Sequence, residues 1–162
     1  MKRIIWLVVL ITTTQIKFGF AQNTQAQSLL TAYYAVKNAL VSSNPVLTAS
    51  KAKEFSKFLT GIDPKSMPQA EMNTFSTLQD KLLSGAKYIS ETTDIVQQRK
   101  HFADFSVNFF NLTKAVKLNT EPVYYAYCPM KKSYWLSESA EIKNPYFGKE
   151  MLTCGTVKET LK

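Results

Sequence analysis

Little in this chain supplies the usual material of an enzyme site. Its 162 residues include one histidine, two cysteines and five glycines. So few glycines leave little from which to build a phosphate-cradling loop, and no serine sits in a nucleophile elbow. There is no Cys-x-x-Cys redox motif. His101 and Cys128 could be paired as base and nucleophile, but no third group that would orient them is identifiable. A zinc centre draws on four Cys or His ligands at short spacings. Here His101, Cys128 and Cys154 are the whole supply, and they lie far apart along the chain. These absences argue against an enzyme and against zinc. Arginine is scarce too, with Arg3 and Arg99 the two examples, so most of the formal net charge of +8 is scattered lysine. Nucleic-acid binding calls for clustered Arg and Lys with interleaved stacking aromatics, so no nucleic-acid partner is expected.

Long apolar runs are missing as well. The run Ile4 to Ile11 is far shorter than the roughly 20 residues that span a bilayer. It follows the basic start Met1-Lys2-Arg3 and leads, through a polar stretch, to Gly19-Phe20-Ala21. Small residues at the −3 and −1 positions make residues 1–21 a signal peptide cleaved after Ala21. The expectation is a periplasmic or secreted protein with no membrane span after cleavage. No cysteine follows the cleavage point, so no lipid-modified N-terminal cysteine is expected. Residues 22–162 are one domain's worth of chain, long enough to bury a core of its own.

What is present reads first as helix. From Thr24 to about Ser42, Leu29, Tyr33, Val36 and Leu40 recur at helical spacing. Asn44-Pro45 supplies an N-cap and a first-position proline for a second helix, with a stripe of Ala49, Ala52, Phe55 and Leu59. Gly61-Ile62-Asp63-Pro64 and Pro68 break the chain. A third helix runs from near Pro68 to about Ile89 on Met72, Phe75, Leu78, Leu82 and Ala86. The fourth runs from Asp94, its cap, to about Lys117 on Ile95, Phe102, Phe105, Phe109, Leu112 and Val116. Four amphipathic helices with short loops predict a mainly α fold, an up-down four-helix bundle over about 24–118. The period then changes, and a small C-terminal antiparallel β-unit is expected over about 119–162. Its strand candidates are Pro122–Cys128, Ser133–Ser137 and Met151–Cys154. Asn144-Pro145-Tyr146-Phe147-Gly148 carries turn chemistry.

The two cysteines bracket this β-unit, and each has a methionine close by: Met130 beside Cys128, Met151 beside Cys154. Two readings fit. In an exported protein the pair can close a structural disulfide, a loop of about 25 residues worth roughly 3 kcal/mol in the chain-entropy account. Alternatively, Cys128, Met130, Met151 and Cys154 form a soft-donor set for Cu(I) or Ag(I). Cys128 and Met130 would share one face of an extended strand, and adjacent strands would bring all four sulfurs together. His101, to one side of the fourth stripe, is a weak extra ligand candidate.

The run Val123-Tyr124, Cys128-Pro129-Met130, Tyr134-Trp135-Leu136-Ser137, Glu141 to Gly148 and Met151-Leu152-Thr153-Cys154-Gly155 resembles domain of unknown function 3347. Gln98-Arg99-Lys100-His101-Phe102 and Asn38-Ala39-Leu40-Val41 resemble its helical part. That family occurs as small exported bacterial proteins and at the C-terminus of periplasmic adaptor subunits of copper/silver-type efflux pumps. The resemblance implies metal binding at Cys128, Met130, Met151 and Cys154, copper as the bound ion, and heavy-metal efflux components as partners. One departure is Lys131-Lys132-Ser133, where family members commonly carry small residues and glycines; two lysines beside a cation are mildly unfavourable. The competing function is a non-catalytic interaction module, held by a Cys128–Cys154 disulfide, that presents Tyr124, Trp135, Tyr146 and Phe147 to a protein. Nothing in the sequence signals an oligomeric state.

Overall fold

A computed structural model describes residues 17–162. The basic start and apolar run of the predicted signal peptide lie outside the described residues, and the first helix already includes the predicted cleavage point. The helices are α1 (Lys17–Val41), α2 (Pro45–Thr60), α3 (Gln69–Ser90) and α4 (Ile95–Val116). Three strands follow: β1 (Val123–Cys128), β2 (Ser133–Ser137) and β3 (Thr156–Leu161). The protein is mainly α with a small antiparallel β-unit, as the periodicities predict. Among the described residues no helix is long and apolar enough to cross a membrane.

The helix boundaries follow from local chemistry. The Asn44 side chain accepts the Leu47 N–H at 2.9 Å and starts α2 with Pro45 in its first turn. Asp94 accepts the Val96 N–H at 2.8 Å and starts α4. Lys117 ends α4 in the left-handed conformation, φ 49°, where its N–H reaches the Thr113 carbonyl. The predicted stripes point inward. Leu29, Tyr33, Val36, Leu40, Ala52, Phe55, Leu59, Phe75, Leu82, Ala86, Phe102, Phe109 and Leu112 are without exposure; Met72, Ile95 and Val116 sit at the margin. Tyr33 stacks on Phe102, Phe105 and Phe109 of α4, with Phe109 nearest at 4.5 Å between centroids.

The sheet, ordered β2-β1-β3, is antiparallel throughout. β2 lies against α4 and α1. There the Leu136 N–H donates to the Tyr33 hydroxyl at 3.0 Å, and that hydroxyl shares a 2.6 Å hydrogen bond with Ser106 of α4. Trp135 and Leu136 are without exposure, so the sheet completes the core between the first and last helices instead of sitting on a finished bundle. Phe110 of α4 stacks on Tyr125 at 3.7 Å, and Tyr125 on Tyr134 at 4.8 Å.

One strand expectation fails. Met151–Cys154 is not a strand: Gly148–Met151 is a short 3-10 helix and the chain turns again before Cys154. Gly148 takes φ +56°, and a Cβ there would meet the Ser43 hydroxyl at 2.5 Å. That glycine lets the segment curl against the corner between α1 and α2, which takes its backbone out of strand geometry. The third strand comes later, at Thr156–Leu161, where alternating half-burial marks an edge.

Candidate functional site

The loop before Cys154 is held by its own motif residues. Asn144 is fully buried, and its Nδ2 donates to the Cys154 carbonyl at 2.6 Å. Its Oδ1 accepts the Tyr146 N–H at 2.8 Å, and its backbone N–H reaches the Leu152 carbonyl at 2.8 Å. The Tyr146 hydroxyl donates to the Tyr134 carbonyl of β2. Arg99 of α4 ties the same loop to the bundle. Its Nε donates to the Pro145 carbonyl at 3.0 Å, and one terminal nitrogen donates to Ser43 Oγ at 2.9 Å and the Leu40 carbonyl at 3.3 Å. Gly155 then passes over the Trp135 indole so closely that a Cβ would lie 2.6 Å from it. The Asn-Pro-Tyr-Phe-Gly run is therefore the frame that aims Cys154 at the end of β1.

Those constraints bring the two cysteines together. Cys128 Sγ and Cys154 Sγ stand 3.7 Å apart, Cys128 without exposure and Cys154 half-buried. Both are free thiols: the Cys128–Cys154 disulfide expected as an alternative is not formed, since a bonded pair would lie at about 2.05 Å. The residues after β1 form a four-residue turn, 129–132. The Lys131 N–H points at Cys128 Sγ at 3.4 Å. The Met130 N–H reaches the Cys154 thiol. Loss of solvent, then the hydrogen bond and charge of Cys128, push the Cys154 thiol up from its ordinary pKa, and the Met130 N–H draws it back. The upward direction keeps Cys154 as a thiol, so its proton must leave before the sulfur can hold a metal.

The methionines are not arranged as strand alternation predicts. β1 ends at Cys128, so Met130 lies in the turn and is 66% exposed instead of sharing a strand face with Cys128. Met151 closes the 3-10 helix, half-buried, and its carbonyl accepts the Cys154 N–H at 3.1 Å. His101 does not face the sheet. Its ring stacks on Tyr88 of α3 at 5.0 Å, in a groove between α3 and α4 that also exposes Asp80 and Asp104. Among the described residues no group of three His, Cys, Asp or Glu side chains is placed to hold a metal. Any ion at the sulfur pair would thus have two thiolates as its firm ligands. Of the aromatics expected on a binding surface, Trp135 and Tyr146 are instead buried in the core.

A family model described as a protein of unknown function (DUF3347) matches residues 29–121. That is more than half of the chain, and the protein belongs to this family. The match covers the second half of α1 and all of α2, α3 and α4, and ends short of β1 and Cys128. No curated protein and no solved structure matches the chain.

Proposed function

We propose that the protein is an exported soft-metal binder that holds Cu(I) or Ag(I) between Cys128 and Cys154 and buffers the ion or passes it to heavy-metal efflux components. The observation that carries this reading is the pair of unbonded sulfurs at 3.7 Å. Two metal–sulfur bonds of about 2.3 Å meeting at a tetrahedral angle place their sulfurs about 3.8 Å apart, and a linear arrangement about 4.6 Å apart. The pair stands at the lower bound of that range and needs little movement to accept an ion. Soft monovalent cations tolerate two or three ligands and prefer thiolate and thioether to nitrogen and oxygen. Met130 lies exposed in the turn after β1, and Met151 leads the loop that ends in Cys154. Either thioether supplies a weaker third donor. The basic, apolar start of the chain and the efflux association implied by the family resemblance support the location and the partner.

Titration of the reduced protein with Ag(I) against a competing chelator tests the reading. One ion should bind per chain. Cys128→Ser and Cys154→Ser should each weaken binding by more than about 100-fold, the upper end of what losing a mere supporting residue costs. Met130→Leu with Met151→Leu should weaken it less. Wild-type binding by the double cysteine variant would sink the proposal.

A further inference from the structure

The two thiols differ in access. Cys128 has no exposed surface, whereas Cys154 is half-exposed at the end of its loop. Their sulfurs are 3.7 Å apart, so about 1.7 Å of approach would bring them to bonding distance. The turn 129–132 adjoins the pair, with the Lys131 N–H 3.4 Å from Cys128 Sγ, and carries Lys131 and Lys132, both exposed. Two cations there disfavour an approaching cation and favour an approaching anion.

We propose that Cys154 is a thiol–disulfide exchange site for anionic low-molecular-weight disulfides, with Cys128 as the resolving thiol. A further consequence, which rests on the metal reading above, is that oxidation of the pair and occupancy by a soft cation exclude one another. In the first step the Cys154 sulfur, having given up its proton, attacks one sulfur of the incoming disulfide. A mixed disulfide forms, and the other half leaves as a thiolate that takes up the proton. In the second step the Cys128 sulfur attacks Cys154 Sγ, the protein disulfide forms, and the second half leaves as a thiol. Two protein thiols lose two electrons and two protons, and one small disulfide becomes two small thiols. A thiol donor in excess reverses both steps. An ion held by both sulfurs occupies the same electron pairs, so it blocks the first step, and a closed disulfide leaves no thiolate to bind it.

The asymmetry makes the test specific. Metal-free reduced full-length chain is incubated with oxidised glutathione and followed by intact mass. Wild type should lose two hydrogens without retaining an adduct. Cys128→Ser, and Cys128→Ala, which leaves no buried hydroxyl, should each accumulate one glutathione. Cys154→Ser should react at least about tenfold more slowly, because its remaining thiol is buried. Lys131→Glu with Lys132→Glu should slow the reaction with oxidised glutathione and speed that with cystamine, a cationic disulfide. Wild type remaining a dithiol, Cys154→Ser matching Cys128→Ser, or the lysine reversal leaving both rates unchanged would overturn the proposal. None of these readouts involves metal, so they stand apart from the Ag(I) titration. Preloading with Ag(I) should protect wild type; exchange that proceeds unprotected would count against the metal reading alone.

Discussion

Asn144 spends its side chain on backbone groups: Nδ2 on the half-buried Cys154 carbonyl and Oδ1 on the buried Tyr146 N–H. Removing it strands a buried donor and a half-buried acceptor, where a buried unpaired group costs about 1–3 kcal/mol. Asn144→Ala should therefore lower stability by about 2–4 kcal/mol in urea unfolding, and weaken Ag(I) binding by loosening Cys154. Gly155 makes a second demand of the same loop. Its φ of +152° and the 2.6 Å approach of a Cβ to Trp135 leave no room for a methyl group. Gly155→Ala should cost about 1–3 kcal/mol by overpacking alone. A wild-type midpoint for either variant would show that the loop is not held as described. Sequence identifies Asn144 as a turn former, since asparagine bonds its own backbone. That its amide reaches ten residues ahead to Cys154 is a matter of how the loop closes, which no local pattern encodes.

At the scale of elements, α1 is joined to the segment after β2 by an unusual ion pair. Lys37 is buried, with 1% of its side chain exposed, and its Nζ lies 2.8 Å from Glu138, which is 44% exposed. Burial pulls the Lys37 pKa down, and the hydrogen bond it donates to Glu138 opposes that. Burial raises Glu138, but the Lys37 hydrogen bond and charge, with Asn38, outweigh it and hold the carboxyl below its ordinary value of 4.5. The two signs have different consequences. Glu138 binds fewer protons folded than unfolded, so its contribution is fully present above about pH 4.5 and is lost as pH falls through its depressed folded pKa. Lys37 also binds fewer protons when folded, so its burial is a cost that is relieved as pH rises toward its ordinary 10.5. Glu138→Gln should lower the melting temperature at pH 7, and the gap from wild type should close as pH falls below 4. Adding Lys37→Met should restore part of the loss, because the buried charge is then no longer unpaired. A pH-independent gap would show that the carboxylate's charge is not what matters. Periodicity places Lys37 one step from Val36 on the α1 stripe; its burial follows from β2 lying across that face.

For the whole molecule, the sheet and the helices share one core. Trp135 and Leu136 of β2 and Tyr146 of the loop are buried with Tyr33, Phe102 and Phe109, so neither part has a complete core without the other. Unfolding should be a single cooperative event. Trp135 is one of two tryptophans, the other being Trp6. In a Trp6→Phe chain, fluorescence follows the sheet while far-UV circular dichroism follows the helices. The two urea transitions should coincide; a separate, earlier fluorescence transition would show the β-unit to be an appendage. The same shared core explains why Trp135 and Tyr146, expected on an exposed binding surface, are interior side chains in the fold.

The sequence by itself determined the four helices, their caps at Asn44 and Asp94, the inward stripes and the first two strands, because each rests on residues one to four apart, and the family, whose motif runs can be read without the fold. The tertiary structure alone decided the rest. It moved the third strand beyond Gly155, turned His101 toward α3 and put Met130 outside the strand. It also brought Cys128 and Cys154 to 3.7 Å across 26 residues of chain. That approach depends on Arg99, Asn144 and two glycines fixing the path of one loop against the bundle, and such long-range closure is set by packing and hydrogen-bond satisfaction, not by local pattern.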